Sequence, residues 1–132
     1  MPILNVKVSQ PASAALTQSI SETLLGLTTR ILRKKRELTS IAIDYVSPEH
    51  WVVGGSTLAA QGKNSFYFDI KVVDGTNTKD EKAQYISECF AAFSVLLEPL
   101  HPESYIYVHD VRAEAYGFGG LTQEYRYIKG KQ

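Results

Sequence analysis

The chain has 132 residues, a size that suits one domain around one core. Its 14 basic and 14 acidic residues cancel, which argues against a general nucleic-acid binder or a surface held on anionic lipid. No apolar run is long enough to span a membrane, and the N-terminus lacks the basic start and apolar stretch of a signal peptide. The lone Cys89 cannot form an internal disulfide; set in an apolar helical pattern, it reads as a buried structural thiol. Together these features point to the cytoplasm.

The chain opens Met1-Pro2-Ile3. Removal of an initiator Met before a small residue would leave Pro2 with a free secondary amine. Such an amine takes up and releases a proton near neutral pH when its surroundings lower its pKa. With Met1 in place the same nitrogen is a tertiary amide and cannot act as a base. Pro is also tolerated as the first residue of a strand, so position alone leaves a structural role open.

Residues 2–8 read as a strand, with Leu4, Val6 and Val8 in phase. Pro11 fits the first turn of a helix whose stripe is Leu16, Ile20, Leu24, Leu27 and Ile31. Arg30, Arg33, Lys34, Lys35 and Arg36 lie at its C-terminal end. Arg33 to Arg36 suit a solvated end that complements the helix dipole. Thr39 to Val46 predicts a second strand, followed by a turn at His50-Trp51-Val52-Val53-Gly54-Gly55. Phe66, Phe68, Ile70 and Val72 alternate along a third strand, which Asp74-Gly75 breaks. Thr78 and Glu81 form a capping-box signature, and Ile86, Phe90, Phe93 and Leu97 the stripe of a second helix. Pro99 and Pro102 end that region. Tyr105 to Val111 predicts a fourth strand, leading to a second turn at Tyr116-Gly117-Phe118-Gly119-Gly120.

The glycine pairs begin at 54 and 119, an offset of 65 that also matches Trp51 to Tyr116 and Pro2 to Tyr67. The chain is therefore expected to be one domain over 1–132 with a pseudo-repeat, 2–56 and 65–121. Strand, helix and parallel strand make a right-handed βαβ unit. Two units predict an α+β fold: a four-stranded sheet with both helices on one face. Ile3, Tyr67, Val73, and either Tyr105 with Tyr107 or Ile106 with Val108, leave apolar and aromatic groups on the other face as well. Such a face predicts a partner surface and a closed homo-oligomer.

Several side chains admit two readings. Tyr105 and Tyr107 share a strand face, to line an aromatic pocket or to pack across a subunit interface. Trp51 and Tyr116 are pocket walls or packing residues. Lys71 and Asp69 share a face with Tyr67 and can form an ion pair there. His109 is a candidate proton shuttle. His50, His101 and His109 lack metal-ligand spacing, so no metal or other cofactor is expected. The glycine pairs do not precede helices as phosphate loops would, and read as turns.

The stretch from Leu38-Thr39-Ser40-Ile41-Ala42-Ile43 to Gly54-Gly55 resembles the second strand and hairpin of the tautomerase superfamily, in its 4-oxalocrotonate tautomerase branch. Asp74 to Lys82 is similar to the strand-to-helix corner of a second copy, and Tyr105 to Asp110 to a strand of the macrophage migration inhibitory factor branch. With Pro2, the resemblance covers nearly the whole chain. It implies a homotrimer with three sheets around a central barrel and helices outside. It also implies an isomerase in which Pro2 moves a proton in the keto-enol tautomerisation of a small 2-keto acid or enol. Arg36, or Lys35, would hold the substrate carboxylate, and Tyr105 or Tyr107 would orient the substrate. The branch's substrate-binding arginines fall here on Ala12 and Ala42, and the helix histidine of the superfamily's 3-chloroacrylate dehalogenases near Leu24. A dicarboxylate substrate and dehalogenation are therefore not expected. The alternatives are Pro2-assisted decarboxylation or hydration, or a non-catalytic trimer of this fold that binds a ligand or a protein partner.

Overall fold

The computed structural model describes residues 2–131. Met1, whose removal the Pro2 chemistry requires, lies outside them. The first half runs β1 (Ile3–Val8), α1 (Ala14–Ile31) and β2 (Ser40–Tyr45), then a small hairpin of β3 (Val52–Val53) and β4 (Ser56–Thr57), and ends in α2 (Leu58–Gln61). The second half repeats this order with β5 (Phe66–Val73), α3 (Lys79–Leu96), β6 (Tyr105–Val111), the hairpin β7 (Gly117–Phe118) and β8 (Leu121–Thr122), and α4 (Gln123–Gly130). The main sheet has the order β2-β1-β5-β6. Each half contributes a parallel pair, and the halves meet where β1 and β5 run antiparallel. No described helix is long and apolar enough to cross a membrane.

Strand alternation builds the core. Leu4, Val6 and Val8 on β1, with Phe66, Phe68 and Ile70 on β5, are fully buried under both helices. From α1 the expected Ile20, Leu24 and Ile31 are buried. Two details differ from the sequence reading. Pro11 precedes the helix, because the Ser13 side chain accepts the Leu16 N–H at 3.1 Å and starts α1 there. On α3 the core face is Tyr85, Cys89 and Phe93, and Ile86 sits one position off it, 38% exposed. Tyr85 can occupy the interior because its hydroxyl is paired with that of Thr28 at 2.8 Å.

The offset of 65 holds for the helices, Ala14–Ile31 against Lys79–Leu96, but not for the strands that precede them. Ile3 pairs with Ser40, and Tyr67 pairs with Tyr105. Tyr67 is thus the counterpart of Ile3, and Pro2 corresponds to Phe66 rather than to Tyr67. Val72, the counterpart of Val8, stands one residue further from its helix than Val8 does, and the chain between β5 and α3 turns at Gly75 with φ 79°, in the left-handed region that favours glycine.

Three contacts join the helices at one seam: Arg33–Glu81 at 2.9 Å, Thr28–Tyr85 at 2.8 Å and Arg30–Glu88 at 2.6 Å. Glu81 also closes the expected capping box, accepting the Thr78 N–H at 2.8 Å while the Thr78 hydroxyl accepts the Glu81 N–H at 3.0 Å. The Thr78 N–H, then Arg33 and Asn77, hold the Glu81 carboxyl at about 2 against an ordinary 4.5. A depressed carboxyl contributes stability that is fully present above the unfolded value and is lost as pH falls through the folded one. Acid titration followed by circular dichroism is therefore expected to show wild type losing stability between pH 4.5 and about 2. Glu81→Gln should lose less across that window.

The sheet face away from the helices carries Ile3, Tyr105 and Tyr107, all exposed by more than a third. Tyr105, Tyr107 and His109 stack along β6 with ring centroids 6.4 and 5.9 Å apart. Beside them Asp69 is nearly buried, bound by Lys71 at 2.7 Å and by the Tyr67 hydroxyl at 3.3 Å.

Candidate active site

Topology gathers four strand termini at one edge of the fold. The parallel and antiparallel registers place the starts of β1 and β2 beside the ends of β5 and β6. Pro2 is there. It is buried, and it continues the alternation of Leu4, Val6 and Val8 on the helix side of the sheet. Its carbonyl accepts the Ser40 N–H at 3.0 Å. The Ile3–Lys71 pair puts Val72 next to it on the other flank.

Val72 also lines a cleft of about 360 Å³, together with Leu38, Val73 and Thr76. Arg33, Lys34 and Lys35 line the same cleft, and Gln123 and Tyr127 reach it from α4. The cations arrive through the way α1 ends. Arg33 takes φ 58°, in the left-handed region, and the Lys34 N–H turns back to the Thr28 carbonyl at 3.3 Å. The helix stops there and lays its basic run across the strand ends.

Carboxylates from elsewhere in the chain neutralise part of that run. Arg33 pairs with Glu81, Arg30 with Glu88, and Arg36 with both oxygens of Glu22 at 3.0 Å. Among the described residues Lys34 donates to the Thr76 hydroxyl at 2.9 Å and has no ion pair, and neither has Lys35. Burial, and then the Arg33 guanidinium, push the Lys34 ammonium below the usual lysine range, against the opposing pull of Glu81 and Asp110. An anion in the cleft would offset both penalties.

A smaller cleft of about 170 Å³ opens at the same end, between Ile3, Lys71, Val111 and Tyr116. The buried Tyr116 hydroxyl donates to the Lys71 carbonyl at 3.1 Å. Pro2, Lys35 and Tyr116 are thus assembled at one end of the chain. Arg36 belongs to that end but faces Glu22. Trp51 and Tyr105 lie at the other end, where they line a cleft of about 370 Å³ with Glu103. There the Tyr105 hydroxyl donates to the Glu103 carboxylate. Tyr107 stands midway on the open sheet face. A strand rises about 3.3 Å per residue, so the ends of the seven-residue β6 are roughly 20 Å apart. One chain therefore does not bring Trp51 or Tyr105 to its own Pro2.

Lys34, Thr76, Gln123 and Tyr127 were not picked out from the sequence as cleft residues. Lys34 was hidden among four like charges. For α4 a signal existed: the offset of 65 carries Thr57, the N-cap of α2, onto Thr122, the N-cap of α4.

The fold matches solved structures over almost the whole chain. A fused 4-OT wild type from an asymmetric trimer aligns with a TM-score of 0.78 at 18% identity, covering 94% of this chain and 98% of the other. Pt0534 inactivated by 2-oxo-3-pentynoate aligns with a TM-score of 0.82 at 11% identity, with the same coverage of both chains. The macrophage migration inhibitory factor-like protein of Entamoeba histolytica gives 0.73 at 13% identity, covering 92% of this chain and 97% of the other. The chain has the tautomerase fold, in the form that fuses two β-α-β units. No family model matches the sequence, and neither does any curated protein.

Proposed function

We propose that the protein is a cytoplasmic tautomerase in which Pro2, freed of Met1, moves a proton between oxygen and carbon of a small enol or 2-keto acid. The observation that carries this reading is the pair Lys34 and Lys35, without ion-pair partners among the described residues, in the cleft beside the buried Pro2. Burial and neighbouring cations both disfavour an ammonium, so the Pro2 amine is held neutral near working pH. It takes the enol hydroxyl proton as the carbonyl forms, and returns a proton to the adjacent carbon as the C=C electrons move to it. Lys34 and Lys35 hold the carboxylate, and their charge offsets the negative charge that develops on oxygen. The proposed step needs no cofactor.

We further propose that three copies form the working unit. The fused 4-OT structures that share this fold are trimers. Ile3, Tyr105 and Tyr107 supply an aromatic and apolar sheet face for such an assembly. A ring of three also lets Trp51 and Tyr105 of one copy approach the Pro2 end of the next.

The test is ketonisation of phenylenolpyruvate by protein whose mass confirms the loss of Met1. A charge-assisted hydrogen bond is worth about 1.5–3 kcal/mol, so Lys34→Ala or Lys35→Ala should lower kcat/KM at least tenfold, through a higher KM from the lost carboxylate contact and a lower kcat from the lost charge beside the developing oxyanion. An unchanged kcat/KM in the double variant would remove the lysines from the mechanism.

A further inference from the structure

The repeat is broken at one place that bears on the cleft. Helix α2 has four residues and stops at Gly62, which takes φ 64° in the left-handed region. Helix α4 starts from the equivalent cap and runs eight residues. At the offset of 65, the buried Leu58 of α2 is replaced by Gln123, and the terminating Gly62 by Tyr127. These are the two residues of α4 that line the cationic cleft. They stand four apart, one above the other on a single helix face. The second unit has thus exchanged a core anchor and a stop signal for two side chains directed at the cleft.

Helix α4 is anchored mainly through Arg126 and its N-terminal cap. The Arg126 guanidinium donates to the Phe118 carbonyl at 2.8 Å and lies 5.1 Å over the Phe118 ring. The Gln123 N–H donates to the Tyr116 carbonyl at 2.8 Å, and the Thr122 hydroxyl accepts the Tyr125 N–H at 3.0 Å. Tyr127 nevertheless remains two-thirds exposed, with the Lys131 ammonium 4.8 Å from its ring centroid. A large ring on a fixed helix, beside an apolar floor of Leu38, Val72 and Val73, presents a flat wall that core packing does not use.

We infer that α4 is the selectivity wall of the cleft: Tyr127 stacks on the planar, conjugated body of a monocarboxylate whose charged end Lys34 and Lys35 hold. The inference rests on the tautomerase reading and deepens it, since a planar conjugated acid is what an enol or dienol of a 2-keto acid presents. The cleft's lining cations lie in one continuous run, Arg33 to Lys35, and Tyr127 lines it from α4, so a carboxylate held at the run can set a flat body against the ring.

The test uses two acids of equal charge and similar length, trans-cinnamate, which is planar, and 3-cyclohexylpropanoate, which is not. Calorimetry on the whole protein should give about tenfold tighter binding of cinnamate, the scale of a well-placed aromatic stack with its buried area. Tyr127→Ala should bring the ratio close to one. Tyr127→Phe should keep it, and Tyr125→Ala, which does not line the cleft, should leave it unchanged. A native ratio near one, no binding of either acid, or a ratio that survives in Tyr127→Ala would overturn the inference. Equal weakening of both acids in Tyr127→Ala would do the same, since it marks a structural effect. Failure of the Pro2 reading is distinguishable: turnover would survive Pro2→Ala while the binding ratio still collapsed in Tyr127→Ala.

Discussion

Replacing Pro2 by Ala is expected to lower phenylenolpyruvate turnover by about 10²- to 10⁴-fold, the usual contribution of a positioned general base. The fold should survive the change. Proline donates no backbone hydrogen bond, and the carbonyl that accepts the Ser40 N–H is retained in Ala. Far-UV circular dichroism of the variant should match wild type. The nitrogen itself is tested by protein that keeps Met1 ahead of an intact Pro2. Its nitrogen is a tertiary amide with no proton to exchange, so it should be inactive although every side chain of the cleft is present. The pH profile supplies a third reading. A chain-terminal amine titrates near 8 in the open, and burial beside cations moves it lower. The activity requires the neutral form, so kcat/KM should fall as pH drops through that lowered value. Full activity in both Pro2→Ala and the Met1-bearing protein would end the case for amine chemistry.

The sheet and both long helices were legible because their burial is periodic. Leu4, Val6 and Val8 alternate as a strand requires, and Ile20, Leu24 and Ile31 recur as a helix requires. The phase of the repeat was less legible. A single additional residue before α3 shifts β5 against β1, and the matched glycine pairs lie downstream of that shift. The candidate site was legible only in outline. Pro2 and the basic run stand out in the sequence, but which cation remains without a carboxylate is decided by Glu22, Glu81 and Glu88, two of them on a helix some fifty residues away. Arg36 looked the best clamp and is the one that meets both oxygens of Glu22. Trp51 and Tyr105 read from the sequence as pocket or packing residues, and they line a cleft at the other end of the sheet. Neither outcome follows from local pattern, because both depend on strand direction and on contacts remote in sequence.

The side-chain stripe of α3 gives the largest expected effect on stability. Phe93→Ala should cost about 3–5 kcal/mol, the range for truncating a fully buried aromatic ring. Phe93 has no exposed surface and stacks on Phe66 at 4.1 Å, with Phe68 at 5.8 Å. Both partners lie on β5, which is hydrogen-bonded to β1 and to β6 and cannot move in to fill the void. For a chain of this length the loss corresponds to a fall in Tm on the order of 10–20 °C. Denaturation should be compared at matched protein concentration, because assembly adds to apparent stability. Ile86→Ala provides the contrast. The stripe read from the sequence makes Ile86 and Phe93 equivalent, whereas Ile86 is 38% exposed and its truncation should cost under about 1 kcal/mol. Losing Phe93 also loosens the seat of α3, and with it the Glu81 carboxylate that occupies Arg33. Arg33 would then join Lys34 and Lys35 as a cleft cation without an ion pair among the described residues, so KM for a carboxylate substrate should change in Phe93→Ala well below its melting temperature and stay constant in Ile86→Ala.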